Sequence, residues 1–152
     1  MLVRQSLERC SIPHKVAVTV DVPDGLPSLN IDPLQLGQVL INFITNAVQA
    51  MPDGGALRIA ARFVGAPPWG CPPLEDCIEI SVADTGEGIT PENMKRLFQP
   101  LFTTKTKGIG LGLVVCRNLV EANGGRIEVA SEAGRGTTFT VFLPVERGAK
   151  YE

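Results

Sequence analysis

The stretch ISVAD ends on Asp84, and a period of two along it places Asp84 on the same strand face as Ile78, Ile80 and Val82. A carboxylate that closes an apolar row must meet a strong donor. Leaving it without one costs roughly 1 to 3 kcal/mol or more. That donor is either a backbone N–H in the following turn or an amine on a ligand. The next residues, Thr85-Gly86-Glu87-Gly88, favour close approach of the backbone, since glycine carries no Cβ to block a flat ring.

A second set of candidates lies in LINFITNAVQAMPDGG, residues 40 to 55, and the turn and a half before it. Here Gln35, Gln38, Asn42, Asn46 and Gln49 recur at spacings of three and four and form a polar stripe beside an apolar helix face. The plain reading is a solvated helix edge. The chemical reading is an amide oxygen suited to a hard cation such as magnesium.

The third set is LFQPLFTTKTKGIGLGL, residues 97 to 113. Gly108, Gly110 and Gly112 alternate where a helix should begin, and an unobstructed helix start offers N–H groups to phosphate. Taken alone, the glycines could equally be a hinge. Thr103, Thr104, Lys105 and Lys107 precede them and can add hydroxyl and ammonium donors. Base, metal, phosphates and a mobile cover thus point together at a nucleotide. The usual nucleotide signatures, GxxxxGK[ST], GxGxxG after a strand and the VAIK, HRD and DFG set, do not occur.

The elements that must position these residues follow from periodicity. Alternation predicts strands from Val16 to Val22, across Leu57, Ile59, Ala61 and Phe63, and across Ile78, Ile80 and Val82. Two more follow at Ile127 with Val129, and at Phe139, Val141 and Leu143 before Pro144. A first helix opens with Asp32 as cap and Pro33 at its first position, carries Leu36, Val39, Leu40, Phe43, Ile44, Ala47 and Val48, and stops near Met51-Pro52. A short one starts at Thr90-Pro91-Glu92 and runs towards Phe98. A third runs from about Gly110 to Asn123, ahead of Gly124-Gly125. The pattern predicts an α+β fold in two layers, a mixed and mostly antiparallel sheet covered on one face by helices. VGAPPWGCPPLED, 64 to 76, reads as a surface loop between strands.

At 152 residues, 44% hydrophobic and 20% charged, the chain fits one domain with one core, built from aliphatic residues because aromatics are only 5%. A formal charge of −2 gives no general attraction to nucleic acid or to anionic lipid. No apolar run approaches the length of a membrane helix, and MLVRQSLERC has charges where a signal peptide would be apolar, so a cytoplasmic location without direct membrane contact is expected. Cys10, Cys71, Cys77 and Cys116 are too scattered for a zinc or redox motif and read as reduced thiols.

These motifs, in this order, resemble the catalytic, ATP-binding domain of sensor histidine kinases within the GHKL superfamily. NFITNA, 42 to 47, is similar to the N box, and DTGEG, 84 to 88, to the first glycine box. FQPLFTTK, 98 to 105, is similar to the F box, GIGLGL, 108 to 113, to the second glycine box, and GRGTTFTVFLP to the closing strand. The resemblance implies the Bergerat fold over residues 14–146, with 1–13 as the end of a linker helix and 147–152 as a tail. It implies ATP and Mg²⁺ as ligands, with Asp84 accepting from the adenine amine and Asn46 holding the metal. Asn42 and Lys105 join Asn46 in the catalytic set. Gly86, Gly88 and Ile89 would border the base, while Phe98, Thr103, Thr104, Gly108, Gly110, Leu111, Gly112 and Leu113 would form the lid and phosphate contacts. Thr138 would approach the adenine through water.

Gln49-Ala50-Met51 resembles the nitrogen-regulation type of kinase rather than those with a lysine and an aromatic there. Leu101 stands for a usual phenylalanine, and Ile109 for a frequent threonine or serine. The one histidine, His14, sits at a strand start without a following acid, so the phosphoacceptor histidine is expected on a separate dimerisation domain, with a response regulator downstream. The chain alone should be a monomer that binds ATP and does not phosphorylate itself. Two other readings are an ATPase of the gyrase, mismatch-repair or chaperone kind, and a nucleotide-sensing module without transfer. The first uses a glutamate base where this sequence has Asn42, and an amide cannot take that proton.

Overall fold

The computed structural model describes residues 12–23, 31–64, 76–92 and 112–145. In chain order these form β1 (Val16–Asp21), α1 (Pro33–Gln49), β2 (Gly55–Val64), β3 (Cys77–Asp84), α2 (Gly112–Ala122), β4 (Arg126–Glu132) and β5 (Gly136–Pro144). The five strands make one sheet in the order β1-β2-β3-β5-β4. Only β1 and β2 run parallel, because α1 carries the chain back across the sheet between them. Every other neighbouring pair is antiparallel.

Alternation sets which face is covered. Leu57, Ile59 and Ala61 of β2, Ile78, Ile80 and Val82 of β3, and Phe139, Val141 and Leu143 of β5 are all buried in one cluster. The register aligns them in rows such as Ile59, Val82 and Phe139. Against these rows α1 packs Leu36, Val39, Leu40, Phe43, Ile44 and Ala47, and α2 packs Cys116 and Val120. Each large aliphatic or aromatic side chain withdrawn from water contributes about 1.5–3 kcal/mol. Phe43 stacks on Phe139, centroids 4.9 Å apart and planes at 19°, joining helix layer to sheet. At the sheet edge β1 buries only Val16 fully, and Val18 stays 40% exposed. The opposite sheet face carries cross-strand ion pairs, Arg58 with Asp21 at 3.1 Å and Arg62 with Glu79 at 2.6 Å, as befits a face turned to water.

Helix ends follow their expected chemistry. Asp32 caps α1, its Oδ1 accepting from Leu34 N at 2.8 Å, with Pro33 next in the chain. α2 stops in a Schellman turn: Gly124 takes φ 80°, and Gly125 N donates to Val120 O at 2.9 Å. Pro91 and Glu92 have helical backbone, while the rest of the helix expected up to Phe98 lies outside the described residues. Among the described residues no helix is long and apolar enough to cross a membrane.

Candidate nucleotide site

Asp84 is the last residue of β3, paired with Leu57 on one side and Thr137 on the other, and Thr137 pairs in turn with Ser131 of β4. The rows behind this one are apolar. This row ends the core on a carboxylate and two hydroxyls, with Asp84 8% and Thr137 5% exposed. Asp84 Oδ1 accepts from Gly86 N at 2.8 Å, so part of its hydrogen-bonding capacity is met by the turn that follows it. A carboxylate has about four lone-pair positions, so that bond does not exhaust it.

The loop after Asp84 is fastened on both sides. Towards α1, Glu87 N donates to Ala50 O at 3.1 Å, and a Cβ on Gly86 would stand 2.4 Å from that same oxygen. Towards the β4–β5 turn, Gly134 N donates to Glu87 O at 2.7 Å. Gly88 has φ 73°, and a Cβ there would meet Glu132 O at 2.2 Å. The two glycines are therefore required by the protein's own backbone. Thr85 completes the anchoring, its Oγ1 accepting from Ala56 N at 3.0 Å.

The polar stripe of α1 is only in part a wet edge. Gln38 and Gln49 are exposed, but Gln35 and Asn42 meet α2. Asn123 Nδ2 donates to Gln35 Oε1 at 3.0 Å and to Leu119 O at 2.7 Å. Seven residues along α1 and seven back along α2, Asn42 is hydrogen-bonded to the Cys116 thiol. These two contacts step in opposite directions along the two helices, so the helices pack as an antiparallel pair, with α2 beginning at Gly112. The first turn of α2 carries no acid to oppose an anion. Burial pushes the Cys116 thiol up to about 11, the Asn42 bond opposing it, so this cysteine stays protonated and is no nucleophile at neutral pH.

The two halves of the site share the last turn of α1. Asn46 O accepts from Ala50 N at 3.0 Å, and Ala50 is the residue against which Gly86 and Glu87 rest. Of the residues expected to act, Asp84, Gly86, Gly88 and Ile89 lie at the end of β3 and in the loop after it, Asn42 and Asn46 lie on α1, at whose end Ala50 meets that loop, and Gly112 and Leu113 open α2. Thr138 needs correction. The pleat turns it to the opposite face, paired with Ala83 and Ala130, so the hydroxyl on Asp84's side is that of Thr137. Counting by twos from Phe139 would have found it. Phe98, Thr103, Thr104, Lys105, Gly108, Gly110 and Leu111 lie outside the described residues. Among the described residues no three of His, Cys, Asp and Glu gather as metal ligands.

The sequence matches the family model of histidine kinase-, DNA gyrase B- and HSP90-like ATPases over residues 31–147. The chain belongs to this family. It is 44% identical over 122 residues to sensor histidine kinase ZraS of Escherichia coli (strain K12), covering 80% of this chain and 24% of that protein. It is 38% identical over 135 residues to sporulation kinase E of Bacillus subtilis (strain 168), covering 89% and 17%. The chain therefore spans about a quarter or less of these relatives. Among solved structures, the catalytic domain of histidine kinase ThkA superposes with TM-score 0.75 at 26% identity, covering 95% of this chain and 90% of that one. Full-length ShkA in complex with AMPPNP gives 0.75 at 31%, covering 95% and 30%. The α+β architecture is that of histidine kinase catalytic domains, and as a member of this ATPase family the domain is an ATP-binding one.

Proposed function

We propose that this domain transfers the γ-phosphoryl group of ATP to a histidine on a separate dimerisation and phosphoacceptor domain, feeding a response regulator. The observation that carries the reading is Asp84, a buried acceptor at the end of an apolar row, whose following loop rests on Ala50 at the end of α1. Asp84 would accept from the exocyclic amine of adenine, with Thr137 beside it on the same face. Asn46, in the last turn of α1, would hold Mg²⁺ through its amide oxygen, and the N–H groups of α2 would face phosphate. When bound, the metal neutralises charge on the phosphates; the chain's part is to position and exclude water.

Asn42 argues against the water-activating ATPases of the family. Its amide is neutral, cannot act as a base and is engaged with Cys116. His14 is exposed beside β1 and distant in sequence from every site residue, which fits an acceptor on another domain.

The test is to mix the chain with the dimerisation domain of a ZraS-type kinase and γ-labelled ATP. An acid-labile, base-stable phosphate on that domain, absent with the chain alone, is the expected product. Release of free phosphate with no labelled protein would instead assign the chain to the hydrolytic branch.

A further inference from the structure

The loop from Thr85 to Ile89 is held at three points, each by a different part of the chain. At its entry the Thr85 hydroxyl accepts from Ala56 N of β2 at 3.0 Å and donates to Met51 Sδ, 3.8 Å away in the turn after α1. In its middle Glu87 is bonded on both sides, its N–H to Ala50 O at 3.1 Å and its carbonyl to Gly134 N at 2.7 Å. At its exit Ile89 N donates to Ser131 Oγ of β4 at 2.7 Å, and that hydroxyl donates in turn to Gly136 O at 3.0 Å.

Both partners of each bond belong to the chain, so the loop takes its shape from its own neighbours and needs no ligand to impose it. That matters for association. A segment with glycines at 86 and 88 has much conformational freedom to lose, and losing it on folding removes the cost from binding. The bonds in the middle are between backbone groups, but those at the two ends depend on a side-chain hydroxyl. We infer that Thr85 and Ser131 are positioning residues: they fix the loop after Asp84 when the chain folds, so that nucleotide meets a loop already set. The inference rests on the nucleotide reading above and concerns when the loop is ordered, not which base is chosen. Nucleotide affinity is thereby governed in part by two hydroxyls whose own hydrogen bonds go to the protein.

The experiment is amide hydrogen exchange on the whole chain with and without ADP, alongside calorimetric titration with ADP. In the parent the amides of Glu87 and Ile89 should be protected without ADP and gain little from it. Thr85→Val replaces the hydroxyl by a methyl group of similar shape, and Ser131→Ala removes it. In both variants the loop amides should exchange fast without ADP and become protected with it, and ADP affinity should fall roughly tenfold. Thr85→Ser and Ser131→Thr keep a hydroxyl and should restore both properties. Asp84→Asn, which alters a ligand contact and not an anchor, should lose ADP with Glu87 and Ile89 still protected. Fast exchange of these amides in the free parent, or parent-like ADP affinity in either folded variant, overturns the inference and leaves the nucleotide reading standing if Asp84→Asn still loses ADP. Should one variant not fold, the other decides. A parent that binds no ADP overturns both.

Discussion

Gly86 rests on the carbonyl of Ala50, so that a methyl group on it would stand 2.4 Å from that oxygen and 2.8 Å from the carbonyl carbon. The obstacle is backbone at a helix terminus, which no side-chain rotation can relieve. Gly86→Ala must therefore push the Asp84 loop off α1 and break the bond from Glu87 N to Ala50 O. The expected cost is roughly 1–3 kcal/mol in urea unfolding, with a loss of ADP affinity of about tenfold or more, because the loop fixes Asp84. Parent-like stability and binding together would show that the contact is not needed.

Phe43 and Phe139 tie the helix layer to the sheet two residues from Thr137. Phe43 is fully buried, so Phe43→Ala opens a cavity at the centre of the core. A loss of about 3–5 kcal/mol is expected from the shift in urea midpoint at unchanged slope. A loss below about 1 kcal/mol would mean that the stack is dispensable.

Cys116 gives a prediction in pH. Its folded value is raised to about 11 from an ordinary 9, so between those values the unfolded chain has released a proton that the folded chain keeps. The stabilisation is complete below pH 9 and is lost as pH rises towards 11, by at most about 2–3 kcal/mol. In Cys116→Ala, unfolding measured across this window should show a smaller alkaline decline than the parent, although the variant is less stable at neutral pH. Parallel curves would contradict the burial argument.

Much of this was legible in residues. Alternation located all five strands, and Asp32-Pro33 and Gly124-Gly125 marked helix ends where the structure has them. The parity of ISVAD placed Asp84 on the buried face. What escaped depends on contacts between distant segments. Strand parity from Phe139 separates Thr137 from Thr138, but Ser131 is one hydroxyl in an edge strand whose neighbours, Ile89 and Thr137, come from elsewhere in the chain. The glycines of DTGEG look alike whether they admit a ligand or a carbonyl; only the positions of Ala50 and Glu132 decide. The Asn42 stripe looked solvated because helical periodicity does not reveal what a neighbouring helix covers.

The central claim is that Asp84 grips the exocyclic amine of a purine, and Asp84→Asn tests it most directly. The amide can still accept from Gly86 N, so the fold should persist with a urea midpoint near the parent's. What it loses is a pure acceptor. Calorimetric titration with ADP should then show affinity reduced by roughly a hundredfold or more. ADP binding equal to the parent's, on a variant folded as the parent is, would contradict the account.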